Sequence, residues 1–327
     1  MIIVQTPFRI SFFGGGTDYP EHFVQHGGAV LGTAINRYAY ISVSNFVSEL
    51  FDYCIRISYR QVETVTSLDE IQHVPFRECL RSCGIERDIE VDYTAELPSF
   101  SGLGSSSSFV VCLLQALHAY KGEFVQGIKL AYEAIDLERR VLGESVGCQD
   151  QVFAAVGGLN VLEFRAEDDI TVYRLQLPTA RMRELEESLV MVFTGIRRRA
   201  ENMAQRLVKR ANDNLPVLMD MRRMVDRGYE ILTGTGSLTA FGELLHEAWV
   251  QKQWLDEGVT SPAITELYEL GRDAGAIGGK LLGAGGGGFI LFFVPAEKRQ
   301  QFGEKLRDFR RLSVRLNSPG SQVIHTS

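Results

Sequence analysis

A surplus of basic residues, a long apolar run and a closely spaced set of cysteines are all missing from this 327-residue sequence. Each absence closes off a class of protein. Lys and Arg number 34 against 41 Asp and Glu, a formal net charge of −7, whereas a surface that grips nucleic acid or an anionic membrane carries the opposite sign. No apolar stretch reaches the roughly eighteen residues of a membrane span, and MIIVQTPFRISFF has neither a basic start nor a small-residue cleavage signal. The expected compartment is the cytoplasm. Cys54, Cys79, Cys83, Cys112 and Cys148 come without C-x-x-C spacing, which argues against a disulfide framework and a zinc site and for small buried hydrophobes. The histidines add no ligand spacing apart from His22 and His26, one helical turn apart and read as incidental. The partner that remains is a small molecule, with no nucleic acid and no membrane; the oligomeric state is left open.

What the sequence has in excess is glycine, 32 residues, more than ordinary usage supplies. The length suits two compact domains sharing a cleft. Hydrophobic patterning predicts strands at 2–4, 8–13, 38–44, 55–59, 89–94, 159–164, 171–175, 189–193 and 289–294, with one or two more near the C-terminus. Helices are predicted at 69–83, 105–120, 124–142, 146–155, 198–232 with a break near Pro216, 238–255, 262–274 and 296–309. Strands mixed with helices without a regular βαβ beat indicate an α+β protein. A boundary near Leu177-Pro178 divides it into residues 1–177 and 178–327.

The glycines cluster in three places. Gly283 to Gly288, in KLLGAGGGGFILFFV, fits G-x-G-x-x-G, yet it runs into a strand-like segment and only 39 residues follow Gly288. A dinucleotide fingerprint needs a strand before it, a helix after it and more sheet beyond, so a NAD-linked oxidoreductase is set aside. Pro98 to Ser108, PSFSGLGSSSS, leads into the apolar run FVVCLLQALHAY. Such a loop is either a cradle for phosphate, with converging N–H groups and a helix dipole behind them, or a flexible turn with a good N-cap. It lacks the lysine of a Walker A loop, and no H-R-D or D-F-G marks a protein kinase. The third cluster, PFRISFFGGGTDY, ends a β segment in Gly14, Gly15 and Gly16 before Thr17 and Asp18. A hydroxyl and a carboxylate beside bare backbone suit the hydroxyls of a sugar, while Asp18 could equally cap a helix over 19–26.

Taken in order, PFRISFFGGGTDY, P-x-x-x-G-L-G-S-S at 98–106 and KLLGAGGGG at 280–288 resemble the three motifs of the GHMP small-molecule kinases, over essentially the whole chain. PFRISFFGGGTDYP, with FTGIRRRA at 193–200 and HEAWVQKQWL at 246–255, looks most like the D-glycero-D-manno-heptose 7-phosphate kinases. Galactokinases have G-E-H-T-D-Y where this chain has GGGTDY, whereas fucokinases share the three-glycine form. The resemblance implies a ribosomal protein S5 domain 2-like N-terminal domain, a ferredoxin-like C-terminal domain, ATP and Mg²⁺. It implies phosphorylation of the anomeric hydroxyl of the heptose 7-phosphate to the 1,7-bisphosphate, on the route to nucleotide-activated heptose for surface polysaccharide. Fucose, mannose or sedoheptulose 7-phosphate are the alternative substrates, and a silent sugar- or nucleotide-binding regulator the alternative class.

Residue by residue, the resemblance makes Asp150 the catalytic base with Arg9 beside it, either favouring the carboxylate or stabilising the transferring charge. Pro98, Ser101, Gly102, Leu103, Gly104, Ser105, Ser106 and Ser107 would hold the nucleotide. Ser106 and Glu138 would hold Mg²⁺; Glu138 stands one residue further from Asp150 than in mevalonate kinase, which leaves Glu144 as a competitor. Gly14, Gly15, Gly16, Thr17, Asp18, Gln151, Gly285 and Gly286 would meet the sugar. Arg197 and Arg198, basic residues at a helix start where the dipole disfavours them, and Lys252 are candidates for its 7-phosphate, with a solvated face as the alternative.

Overall fold

The computed structural model describes residues 1–99, 101–196, 201–210 and 213–327, without the side chains at 201–203 and 207. Its first part runs β1 (Ile2–Phe13), α1 (Pro20–His26), β2 (Gly28–Asn45), β3 (Ile55–Ser58), β4 (Val62–Val65), α2 (Val74–Ser82) and β5 (Ile89–Ala95). Then come α3 (Ser105–Tyr120), α4 (Ile128–Asp136), α5 (Gln149–Val156), β6 (Leu159–Ala166) and β7 (Asp169–Arg174). The second part holds α6 (Thr179–Ser188), β8 (Leu189–Phe193), α7 (Glu201–Lys209), α8 (Leu215–Thr233), α9 (Thr239–Gln253) and α10 (Pro262–Asp273). It ends with β9 (Gly278–Leu281), β10 (Phe289–Phe293), α11 (Arg299–Lys305), β11 (Arg311–Leu312) and β12 (Gln322–Thr326).

The strands form two sheets, as the α+β expectation requires. The larger is ordered β12-β1-β2-β5-β3-β4, with β6 and β7 joined to it through β2. Long β2 serves two neighbours on the same side, β6 along Gly28–Thr33 and β5 along Ala39–Asn45. The smaller sheet is antiparallel with order β11-β8-β10-β9. That is the 4-1-3-2 order of a ferredoxin-like unit, with helices between its first two and last two strands. The apolar runs LVMVF and FILFF supply its inner pair, which are buried on both faces. Among the described residues no helix is long and apolar enough to cross a membrane.

β1 organises the molecule because its two faces do different work. Alternation sends Phe8, Ile10 and Phe12 into a core shared with Leu189, Met191, Phe241 and Leu291 of the second part. Arg9 and Ser11 point the other way, toward the α3 and α5 side. Behind them a second core, with Val110, Leu114, Leu117 and Phe153, packs the helices on the large sheet.

Several elements differ from the patterning. The strands expected at 2–4 and 8–13 are one, because Pro7 sits where the register against β2 shifts and beyond the last pairing with β12, so its missing N–H leaves no gap in a ladder. The helix expected at 69–83 begins only at Val74, with the His73 ring accepting from Phe76 N. That expected at 124–142 starts at Ile128 and passes into a π turn, Leu137–Val141. The first half of β2, β4, α6 and β9 were not anticipated. We propose the division near Leu177-Pro178, between β7 and α6, with β12 assigned to the first unit because it pairs with β1.

Candidate functional site

The phosphate-type loop is built from backbone. Gly102 and Gly104 adopt φ 79° and 76°, where an L side chain is strained. Gly104 precedes the first residue of α3 and its carbonyl accepts from Ser108 N at 2.9 Å. The first N–H groups of a sixteen-residue helix therefore open beside bare glycine backbone, the arrangement that attracts anions. Of the predicted nucleotide set, Leu103 and Ser101 are buried, Pro98 and Ser105 are half-buried, and Ser106 is exposed. Among the described residues the Ser101 hydroxyl has no partner.

The third motif backs directly onto this loop. A Cβ on Gly283 would lie 2.5 Å from Gly102 Cα, and one on Gly288 2.4 Å from Ser101 O. Only hydrogen fits between the two segments. Gly285 and Gly286 turn away, with a Gly285 Cβ 2.9 Å from Val259 Cα and Gly286 N donating to Val259 O. Both therefore pack against the segment at Val259.

Arg9 joins the parts. Its Nε and Nη2 donate to Asp150 Oδ1 and Oδ2 at 2.8 and 2.7 Å, and Nη1 donates to Gly102 O at 2.7 Å. Asp150 sits in the first turn of α5 with its side chain 24% exposed, so the carboxylate is reachable. A two-pronged guanidinium–carboxylate pair fixes both orientation and charge.

The N-terminal motif is less open than expected. Thr17 is fully buried, its hydroxyl lying 2.8 Å from Gly14 O and 2.9 Å from Ala29 O and accepting from Ala29 N. It ties the glycine turn to β2 and leaves no face for a sugar. Gly14 is there because a Cβ would strike Ala29 O at 1.9 Å. Asp18 is no helix cap; the capping position is Tyr19. Its carboxylate accepts from Gly16 N at 3.0 Å and Gln149 N at 3.2 Å, and burial, then the Asp150 charge, pushes it up from the usual carboxylate range. Gly147 makes room for it, since a Cβ there would lie 2.0 Å from Asp18 Oδ2.

Glu138 lies on the π turn, fully buried. Ser107, rather than Ser106, donates to its two oxygens at 3.0 and 2.9 Å, and Gln151 Nε2 donates to Oε2. Gln151 thus braces the carboxylate through Nε2, while among the described residues its Oε1 has no partner. Burial, then the neighbouring Glu144 charge, pushes Glu138 up to about 8. Glu144 N also donates to Glu138 O at 2.9 Å. A π turn holds one residue more than an α turn, and Glu138 lies on it with both carboxylate oxygens bonded to Ser107 of α3.

Lys252, a candidate for the sugar phosphate with a solvated face as the alternative, is buried, its Nζ donating to Leu281 O at 2.8 Å and to Gly283 O. Desolvation, with Lys280 and Arg9 nearby, pulls it well below the lysine range. Lys280 donates to Phe12 O at 2.7 Å and is pulled down to about 7 by burial and Arg9. Three cations gather where the motifs meet. Arg197 and Arg198 lie outside the described residues. Sequence reasoning missed Ser11 and Gln149, which lie beside Gly15 and whose Oγ and Oε1 are buried without a partner among the described residues; Gln149 and Gly147 lie in the segment ESVGCQDQ, which drew attention for its acids and Gln151.

Comparison with known proteins gives the family. The family model "GHMP kinases N terminal domain" matches residues 73–158 and "GHMP kinases C terminal" matches 230–311. The chain is 30% identical to a D-glycero-alpha-D-manno-heptose 7-phosphate kinase of Campylobacter jejuni, covering 94% of this chain and 93% of that one. It is 27% identical to the bifunctional fucokinase/GDP-fucose pyrophosphorylase of Arabidopsis thaliana over 96% of its own length and 32% of that longer protein. Its fold superimposes with TM-score 0.82 and 23% identity on the crystal structure titled a D-glycero-D-manno-heptose 1-phosphate kinase from Bacteriodes thetaiotaomicron, with full coverage of both chains. With its glycine loop, its Arg9–Asp150 pair and these matches, the chain belongs to the GHMP kinases and is an ATP-dependent kinase.

Proposed function

We propose that this kinase phosphorylates a sugar phosphate, transferring the γ-phosphoryl group of ATP to the anomeric hydroxyl of D-glycero-D-manno-heptose 7-phosphate. The observation that carries the reading is Arg9, one guanidinium bonded to both the Asp150 carboxylate and the carbonyl of Gly102. It holds a proton acceptor at a fixed place relative to the phosphate loop. The sugar itself rests on the relative at 30% identity.

Each oxygen of Asp150 takes one N–H from Arg9 and keeps lone-pair capacity for the proton of the attacking hydroxyl. The first amides of α3 and the loop glycines receive the β- and γ-phosphates, and Arg9, Lys252 and Lys280 supply positive charge where negative charge moves during transfer. In the buried triad only Arg9 has a described carboxylate partner, so an incoming phosphate relieves the crowding. Asp18, gripped by amides of Gly16 and Gln149, sets the spacing between the glycine turn and α5. Ser11 Oγ and Gln149 Oε1 are the buried polar atoms awaiting partners beside Gly15, and we assign them to sugar hydroxyls.

The donor set fits Mg²⁺, because Glu138 is a fully buried carboxylate crowded by Glu144 and Asp150. Glu138 and Ser107 would hold the ion, with Ser106 in reach of the same turn; bound there, it neutralises charge on the nucleotide phosphates. The 7-phosphate is left to Arg197 and Arg198, and Lys252 is reassigned to the transferring phosphoryl group.

A coupled ADP-release assay across hexoses, heptoses and their terminal phosphates tests the reading. The heptose 7-phosphate is expected to exceed every unphosphorylated sugar in kcat/KM by tenfold or more, about 1.4 kcal/mol of discrimination. The fucokinase relative makes L-fucose the required competitor. Higher turnover of fucose than of any heptose phosphate would replace the substrate while leaving the kinase assignment intact.

A further inference from the structure

At the end of α3 opposite the phosphate loop, a cluster of side chains takes no part in the kinase chemistry. Cys83 closes α2, His118 lies in the last turn of α3, and Glu133 comes from α4. One ligand atom from each lies within 4.8 Å of the other two. Both oxygens of Glu133 stand 2.8 Å from His118 Nε2, while Glu123 holds Nδ1 at 2.7 Å and pairs in turn with Lys121 at 2.8 Å.

Thiol, imidazole and carboxylate together are a donor set for zinc. A tetrahedral zinc with bonds of about 2.0–2.3 Å keeps its ligand atoms roughly 3.3–3.6 Å apart. The widest gap here asks for a closure of only about 1 Å beyond that, within reach of side-chain rotation. A carboxylate on the second ring nitrogen is how zinc-bound histidines are usually held. The charges balance as well: a Cys83 thiolate and Glu133 neutralise a divalent ion, and Glu123 is already matched by Lys121.

We propose that Cys83, His118 and Glu133 form a zinc site, with Glu123 orienting His118 and water completing the coordination. On binding, the metal displaces the thiol proton of Cys83 and any proton on Nε2 to solvent, and Nδ1–H stays with Glu123. Without metal, burial and the adjacent Glu133 push the Cys83 thiol up to about 11, so it is protonated and inert. Contacts with Glu133 first, then Glu123, outweigh burial and push His118 up, which fits a ring serving as cation when no metal is present. The ion would pin together three helices, one of which begins at the phosphate loop and another of which leads into the turn bearing Glu138.

The test uses the full chain, free of any histidine tag, stripped with chelator and dialysed against micromolar zinc without nucleotide. Emission spectroscopy is expected to find about one zinc per chain, and Cys83→Ser and His118→Gln to retain roughly a tenth or less at the same free zinc. Glu123→Gln should weaken binding about 10- to 100-fold. Cobalt in place of zinc should give a near-ultraviolet thiolate charge-transfer band in the wild type that Cys83→Ser lacks. Wild-type protein that takes up no zinc and shows no such cobalt band, or a folded Cys83→Ser that keeps full stoichiometry, overturns the site. Should Cys83→Ser fail to fold, the wild-type cobalt band decides.

Discussion

The two ends of α3 are made of different materials. At its start, glycines and helix amides leave space for a ligand, and the nearby side chains of Arg9, Ser107 and Glu138 are locked to one another or to backbone. At its finish, the side chains of Cys83, His118, Glu123 and Glu133 crowd together. The first end is a contiguous motif that any reader of GLGSSSS can suspect; the second is assembled from separate elements and has no spacing to notice. Backbone sites write themselves into local sequence, and side-chain sites need not.

The strongest way to break the comparison is at Asp150. Asp150→Asn should lower kcat by about 10²- to 10⁴-fold, with nucleotide affinity nearly unchanged in a binding titration. Near-wild-type turnover with the true sugar would remove Asp150 as base. Next in size is the glycine stack. Gly283→Val forces a side chain against Gly102 and strains a residue at φ 71°, costing about 1–3 kcal/mol from the backbone alone. Urea unfolding should register that loss, and KM for ATP should rise with it. Gly286→Val, at a residue whose amide donates to Val259 O, should disturb ATP less than Gly283→Val does; the reverse order would misplace the loop.

A smaller effect follows from the buried cations. Lys280 is pulled to about 7, so as pH rises the folded state sheds this proton before the unfolded chain does. The unfolded state then binds more protons, and stability climbs with pH from about 7 toward 10. Lys280→Met should flatten that climb in urea midpoints measured across the range, whatever it does to the absolute value. Smallest of all, Cys83→Ser should leave kcat/KM within about twofold without added zinc, as expected of a substitution away from the reacting atoms. A large loss there would mean the far end of α3 governs the near end more directly than its geometry suggests.

The same contrast explains what the sequence disclosed. Long apolar or amphipathic stretches, such as α3 at 105–120 and β8 at 189–193, fall where patterning puts them. β9 went unseen because GGKL has no strand composition; its glycine is needed where a Gly278 Cβ would lie 2.0 Å from Gly242 O of α9. α6, TARMRELEES, is too polar to carry an apolar stripe. At the site, Arg9, Asp150 and Glu138 were legible only through the motifs around them. Choosing Ser107 over Ser106 required noticing that 107, 111 and 114 share one buried helical face. The engaged hydroxyl of Thr17 and the inward placement of Lys252 depend on tertiary contacts that no local pattern announces.

One pairing bears on how the enzyme is made. β12 lies along the outer edge of β1, the strand that carries Arg9, with Thr6 and Ser321 hydroxyls 2.6 Å apart across a separation of 315 residues. During synthesis β1 emerges long before β12, the neighbour that covers this edge. Until then its rim presents unpaired amides to other nascent chains. Deleting residues 322–326 should therefore reveal itself first as poor yield of native protein during expression, at elevated temperature above all, before any defect in the phosphate loop becomes measurable.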